Sequence, residues 1–251
     1  MTKIPTIGFI SAPAWFDPAP SEFSNVIVEE VRTQQAPLLL PEFDYRLESI
    51  ASVQNELNLC ARSLKAMGCD VVAQVGSPFA WAKATSEAEA RLRNKAMKTA
   101  ANVSTLMTGL AIVDGLRALG INKVAVNCTY YEPDWRDDFS LFLRLCGFDI
   151  THASTLTEQG LIAPSTKMED IGWSMTPELA SKSILFAAEA SPDAEAIVVT
   201  GAGTRTLDIL SHMEAQTKRP IIAADTILYW AIARELDLTL RHVMGSLSNL
   251  T

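Results

Sequence analysis

Two glycines open the turns in this chain that are best suited to hold an anion. Gly76 follows the apolar run Val71–Val75 and begins Gly76-Ser77-Pro78. Gly201 follows Ile197–Thr200 and begins Gly201-Ala202-Gly203-Thr204-Arg205-Thr206. A small, hydroxyl-rich turn after a buried strand presents backbone N–H groups, and such a cradle suits a carboxylate or a developing oxyanion. The competing reading of each glycine is a tight strand-to-helix turn that needs it for steric reasons alone. In parallel sheets ligands bind beyond the carboxyl ends of the strands. The other residues to examine are therefore Pro13 and Trp15 after Thr6–Ile10, Tyr130 and Glu132 after Val124–Cys128, and Asp225 after Ile221–Ala224.

Several familiar chemistries lack their residues. The Gly201–Thr206 stretch has no third glycine and sits late in the chain, so nicotinamide binding is rejected. No G-x-x-x-x-G-K occurs. His152, His212 and His242 are scattered and fit neither a serine triad nor a metal site. Cys60, Cys69, Cys128 and Cys146 have no C-x-x-C spacing and read as small core residues, with the facing of Cys128, core or cleft, left open.

The elements that must position these turns are legible as alternation. Thr6–Ile10, Pro37–Leu40, Asp70–Val75, Val103–Met107, Lys123–Cys128, Asp149–His152, Ala196–Thr200 and Pro220–Ala223 read as short strands. Between them lie helical patterns, such as Ile50, Val53, Leu57, Ala61 and Leu64, and Phe139, Leu143 and Leu145 with Leu141 on a flank. Such alternation implies an α/β fold with mainly parallel sheets. Leu64-Lys65-Ala66-Met67-Gly68, Leu116-Arg117-Ala118-Leu119-Gly120 and Leu143-Arg144-Leu145-Cys146-Gly147 each read as a helix end with a glycine C-cap before a strand. Ser11–Ser24, with Pro13, Pro18, Pro20 and the pair Trp15-Phe16, reads as a loop over a site. The two glycine turns, half a chain length apart, suggest two related lobes facing one another across a cleft. The expected division is 1–115 with 220–251 in the first lobe and 116–219 in the second.

The composition agrees with a globular chain: 251 residues, 48% hydrophobic, with 29 acidic against 21 basic side chains and a net charge of −8. That balance excludes intrinsic disorder and opposes binding to nucleic acid or an anionic membrane surface. No apolar run reaches the length of a membrane span, and the first ten residues lack the long apolar stretch of a secretory signal. A cytoplasmic location is expected. A homo-oligomer is compatible with the sequence.

With these turns in view, the sequence resembles the aspartate/glutamate racemase superfamily, in its maleate isomerase and arylmalonate decarboxylase branch. The resemblance rests on Ile7-Gly8-Phe9-Ile10 with Pro13, on Asp70-Val71-Val72 through Gly76-Ser77, and on Gly115–Gly120. It continues in Val124-Ala125-Val126 with Tyr130, in Thr204-Arg205-Thr206-Leu207-Asp208 and in Tyr229-Trp230. It implies two Rossmann-like lobes with pseudo-twofold symmetry and a carboxylate site between them. Members of that branch carry catalytic cysteines in the two strand-end turns, and arylmalonate decarboxylases keep only the second. The matching positions here are Gly76 and Gly201. A glycine neither carries a proton nor attacks a substrate, so the usual thiol chemistry is not expected.

What the resemblance leaves is a carboxylate cradle. Its catalytic candidates are Tyr130, Asp225 and Ser77, and its substrate-binding candidates are Pro13, Trp15, Gly76, Gly201, Ala202, Thr204 and Arg205. Tyr130 reads either as a site phenol or as a packing aromatic. Arg205 reads either as a ligand contact or as a structural residue at a helix start. Asp225 stands where the family has a neutral residue, and reads as a replacement base, as the holder of a substrate's cation, or as the N-cap of the last helix. The leading expectation is a lyase, decarboxylase or isomerase acting on a small carboxylate without metal or organic cofactor. The alternatives are a hydrolase, with Asp225, Glu132 or Tyr130 activating a water in the space the thiols leave, and a silent carboxylate-binding protein.

Overall fold

A computed structural model describes residues 3–13, 17–40, 44, 46–129, 132–166 and 175–250. The chain divides into two compact units, Met1–Ala111 with Leu228–Arg241, and Ile112–Ile227 with His242–Thr251. Residues 220–227 and 242–251, expected in the first lobe, therefore lie with the second. Residues 220–227 do so because Ile221–Ala223 adds to the second unit's sheet, and 242–251 because Ser246 donates its N–H and hydroxyl to the Glu214 carboxylate.

The first unit holds strands β1 (Thr6–Ser11), β2 (Arg32–Pro37), β3 (Val71–Gln74) and β4 (Ser104–Met107), all parallel in the order β2-β1-β3-β4. The second holds β5 (Lys123–Cys128), β6 (Asp149–Thr155), β7 (Ala196–Val199) and β8 (Ile221–Ala223), parallel in the order β6-β5-β7-β8. The two orders are the same topology repeated. The inner strands β3 and β7 are buried at every residue, which is why they read as unbroken apolar runs.

The helices are α1 (Ala19–Val26), α2 (Leu47–Ala51), α3 (Gln54–Ala66), α4 (Pro78–Trp81), α5 (Glu87–Ala101) and α6 (Thr108–Ala118). They continue with α7 (Pro133–Leu145), α8 (Pro177–Ala190), α9 (Leu210–Thr217) and α10 (Ala224–Leu236), before a 3-10 segment, His242–Asn249. The expected stripe Ile50, Val53, Leu57, Ala61 and Leu64 is buried throughout. All three expected helix ends form the same double clasp. The N–H of Gly68, Gly120 and Gly147 returns to the residue three before it. The next N–H, of Cys69, Ile121 or Phe148, returns to the leucine that starts the motif, at 3.0 to 3.2 Å. Each glycine has positive φ, as this cap requires.

Three expectations need correction. The second strand is the polar Arg32–Pro37 and not Pro37–Leu40. It pairs on one side only, against β1, so it needs no continuous apolar run; of the leucines that suggested a strand, Leu38 is buried but Leu39 is 77% exposed. Ser11–Ser24 is not wholly loop, because α1 begins at Ala19 and buries Ala19, Phe23 and Val26, with Phe23 between Phe9 and Tyr229. On α7 the buried face is Trp135, Phe139, Phe142 and Leu143, while Leu145 is exposed; a 3.6-residue period brings position 142, and not 145, beside 135 and 139. Among the described residues no helix is long and apolar enough to cross a membrane.

Candidate active site

The strand register makes the two glycine turns equivalent. In the first unit Ile10 on β1 faces Gln74, the last paired residue of β3. In the second Asn127 on β5 faces Val199, the last of β7. Gly76 and Gly201 each lie two residues beyond that point, with φ of +98° and +91°. A side chain is strained there, so both positions favour glycine for a backbone reason.

In each turn hydrogen bonds tie back the carbonyls. In the first, the Gln74 amide Nε2 donates to the Val75 carbonyl and, at 3.0 Å, to that of Gly76. Gln74 is itself fixed by Thr108, whose hydroxyl donates to the Gln74 carbonyl at 2.9 Å. In the second, the Arg205 guanidinium folds back to donate to the Ala202 carbonyl at 2.8 Å, and the Thr204 N–H donates to that of Gly201 at 3.0 Å. The N–H and C=O on either side of a trans peptide bond point in opposite directions. Tying back the carbonyls of Gly201 and Ala202 therefore aims the N–H groups of Ala202 and Gly203 the other way.

The second turn is braced at three further points. The Thr200 N–H donates to the Asn127 carbonyl at 3.1 Å. The hydroxyls of Thr129 and Thr204 meet at 2.7 Å, and that of Thr129 also bonds to the Thr200 carbonyl. Asp225, in the first turn of α10 and 3% exposed, accepts from the Thr206 N–H at 2.6 Å and the Thr206 hydroxyl at 2.7 Å. These bonds reach back to a residue before α9, so the carboxylate links two elements; of the three readings of Asp225, the N-cap is set aside because the residue lies inside the first turn of α10.

The expected site residues fall as follows. Gly76 and Ser77 share the buried first turn, and Pro13 is buried after β1 in the same unit. Gly201, Ala202, Thr204 and Arg205 form the second turn, with Asp225 behind it. Trp15 and Tyr130 lie outside the described residues. Phe79 and Trp81, which follow the first turn, are 4% and 0% exposed. Cys128 is wholly buried, and burial pushes its thiol pKa far up, which places it in the core and leaves little thiolate. Burial also raises the Cys69 thiol, to about 11. Among the described residues no cluster of three or more His, Cys, Asp or Glu side chains is placed to hold a metal ion.

The sequence reading missed Gln74, Thr129 and Thr206. Gln74 carried a signal, being the one long polar side chain in a buried apolar run, a placement that demands hydrogen-bond partners. Thr129 and Thr206 carried none, since their partners lie 71 to 75 and 19 residues away.

With this geometry in place, comparison with known proteins gives concordant results. A family model described as arylmalonate decarboxylase matches residues 7–247. The arylmalonate decarboxylase of Bordetella bronchiseptica is 26% identical over 174 residues, which cover 69% of this chain and 68% of that protein. Among solved structures, a maleate isomerase from Pseudomonas putida S16 aligns with a TM-score of 0.82 at 20% identity, covering 99% of this chain and 100% of that one. A crystal structure of arylmalonate decarboxylase aligns with a TM-score of 0.79 at 21% identity, covering 98% and 100%. The structural likenesses, at such identities, speak for the fold.

Proposed function

The chain belongs to the arylmalonate decarboxylase family, and on that footing we propose that it is a cofactor-independent lyase for small dicarboxylates that works without a cysteine nucleophile. The observation that carries this reading is the pair of register-equivalent turns, each opened by a positive-φ glycine and each with carbonyls tied back, by the Gln74 amide in the first and by the Arg205 guanidinium and the Thr204 N–H in the second. Fixed N–H dipoles of that kind favour negative charge that develops during reaction, and they need no reorganisation when it does.

For a substituted malonate the chemistry runs as follows. The bond between the α-carbon and one carboxylate breaks, and carbon dioxide leaves. The electron pair passes into the remaining carboxylate as an enediolate, whose charge the N–H groups of Gly201, Ala202 and Gly203 stabilise. A proton then goes to the α-carbon. In this chain the residues at the family's cysteine positions carry no proton, so the Tyr130 phenol is the proposed donor, regenerated from water. Isomerisation of a cis double bond is less well served, because it needs a nucleophile to add to the alkene and leave a bond free to rotate. Pro13 and Trp15 are proposed to contact the substrate's apolar portion. Thr204 and Arg205 act by keeping the second turn in shape, as their hydrogen bonds within it suggest.

The test is carbon dioxide release from phenylmalonate and alkylmalonates, with maleate as the isomerase control, before and after treatment with iodoacetamide. The expected outcome is decarboxylation that survives alkylation, and loss of at least about a hundredfold in kcat for Tyr130→Phe. Turnover abolished by alkylation, with Cys128 modified, would return the chemistry to a thiol. Thermal stabilisation by malonates with no product would make the chain a carboxylate-binding protein instead.

A further inference from the structure

We propose that Asp225 is a positioning residue, which acts through Thr206 to set the geometry of the Gly201 turn, and that it is not the group that transfers the proton. The inference rests on the reading of that turn as the carboxylate cradle.

Both oxygens of the Asp225 carboxylate accept from Thr206. Oδ2 accepts from the Thr206 N–H at 2.6 Å and Oδ1 from the Thr206 hydroxyl at 2.7 Å. Asp225 is 3% exposed and Thr206 wholly buried. A buried charge survives only when it is paired or fully hydrogen-bonded, so the clamp matters to both partners. Thr206 lies two residues past Thr204, whose hydroxyl meets that of Thr129, and three residues past Gly203. The clamp therefore fixes one end of a short loop whose other end, Thr200, is fixed to the Asn127 carbonyl. The glycine, the alanine and the outward N–H groups hang between these two anchors. A displacement of about 1 Å in such donors costs up to about a hundredfold in rate.

The first unit supports this assignment by contrast. Counting from the last paired residues, Met107 opposite Gln74 and Ala223 opposite Val199, the position equivalent to Asp225 is Gly109. A Cβ built on Gly109 would lie 2.6 Å from the Ser77 carbonyl oxygen. There the first turn of the helix packs directly on the loop and leaves no room for a tether. In the second unit the loop is longer, and a carboxylate bridges to it.

The test compares Thr206→Val, Thr206→Ser and Asp225→Asn with the unaltered protein by two readouts. The first is the amide 1H–15N signals of Gly201, Ala202 and Gly203, which need no turnover. The second is kcat and KM for phenylmalonate across pH. Thr206→Ser keeps both bonds and is expected to leave signals and rates within about twofold. Thr206→Val keeps the N–H but loses the hydroxyl; it is expected to shift the three amides and lower kcat about tenfold, with KM little changed. Asp225→Asn keeps one acceptor and is expected to do the same, with an unaltered shape of the pH–rate profile. If Asp225 transferred the proton, Asp225→Asn would remove a limb of that profile and cost about a thousandfold or more, while Thr206→Val would cost little; that result overturns the inference. So would unshifted amides in both Thr206→Val and Asp225→Asn. If Asp225→Asn does not fold, the Val and Ser variants at Thr206 decide by themselves. Absence of turnover in the unaltered protein would count against the proposed function, while the amide signals would still decide the clamp.

Discussion

The two glycine turns occupy the same place in two copies of one topology, yet they are held in different ways. In the first unit the turn is short and is gripped by close packing. The Gln74 side chain lies beneath its carbonyls, and the start of α6 presses against Ser77 at a position that only glycine fits. In the second unit the turn is longer and is held by a polar scaffold of Thr129, Thr204, Thr206, Arg205 and Asp225. Packing tolerates no added volume, whereas a hydrogen-bonded loop can change its reach while keeping its anchors. The first turn is therefore the rigid partner and the second the one whose geometry side chains adjust.

The sharpest way to break this comparison is Gly109→Ala. Its Cβ would meet the Ser77 carbonyl oxygen at 2.6 Å and the Ala80 and Trp81 side chains at 2.9 Å. A backbone oxygen cannot swing aside, so a loss of about 3 kcal/mol in urea unfolding is expected, at the upper end for overpacking. A loss under about 1 kcal/mol would mean that α6 does not grip the turn. Next come Gly76→Ala and Gly201→Ala, at φ of +98° and +91°. Each is expected to cost about 1–2 kcal/mol from backbone strain. At Gly76 the added Cβ would also meet the Phe79 ring at 3.2 Å. An unchanged urea midpoint at either position would mean that backbone strain does not select the glycine there.

The smallest expected effect lies at the opposite ends of the same strands. Asp70 stands just before β3 and accepts from the Thr6 N–H at 3.0 Å, while Glu195 stands just before β7 and accepts from the N–H groups of Asn122 and Lys123 at 2.6 and 3.0 Å. The two carboxylates are counterparts, each clasping the start of the neighbouring central strand. Burial pushes the Asp70 carboxyl up, but the Lys3 ammonium and the Thr6 N–H outweigh it and hold the pKa below its ordinary value. The N–H groups of Asn122 and Lys123 lower that of Glu195. A depressed carboxyl stabilises the fold above its unfolded pKa, about 4 for either residue, and loses that contribution as pH falls through the folded value. Asp70→Asn and Glu195→Gln should each lower the melting temperature slightly at pH 7, and the difference from the unaltered protein should close below about pH 4. A difference that persists at pH 2 would mean that the side chains act through packing and not through charge.

Much of the fold was legible because its signals are local. The Leu-x-x-x-Gly helix ends, the apolar inner strands and the two glycines after them all follow from backbone sterics and burial within a few residues. Errors fell where burial is one-sided. The polar β2 pairs along one edge only, so it carries no hydrophobic pattern, and the apolar Pro37–Leu40 beside it drew the assignment away. The site was legible as two turns but not as two mechanisms of support. Asp225 was picked out as unusual, yet nothing near it in the chain indicated that Thr206 would take both of its oxygens.

By itself, then, the sequence determined the class of fold, the two-unit plan and the placement of glycine in the two strand-end turns. Each of these is a matter of side-chain type at a position that local backbone geometry already defines. The tertiary structure decided the division of residues 220–251 between the units, the burial of Cys128 and the roles of Gly109 and Asp225. Those depend on which groups meet across 19 or more residues, or on an approach of a few tenths of an ångström between backbones. Neither is written in the order of residue types.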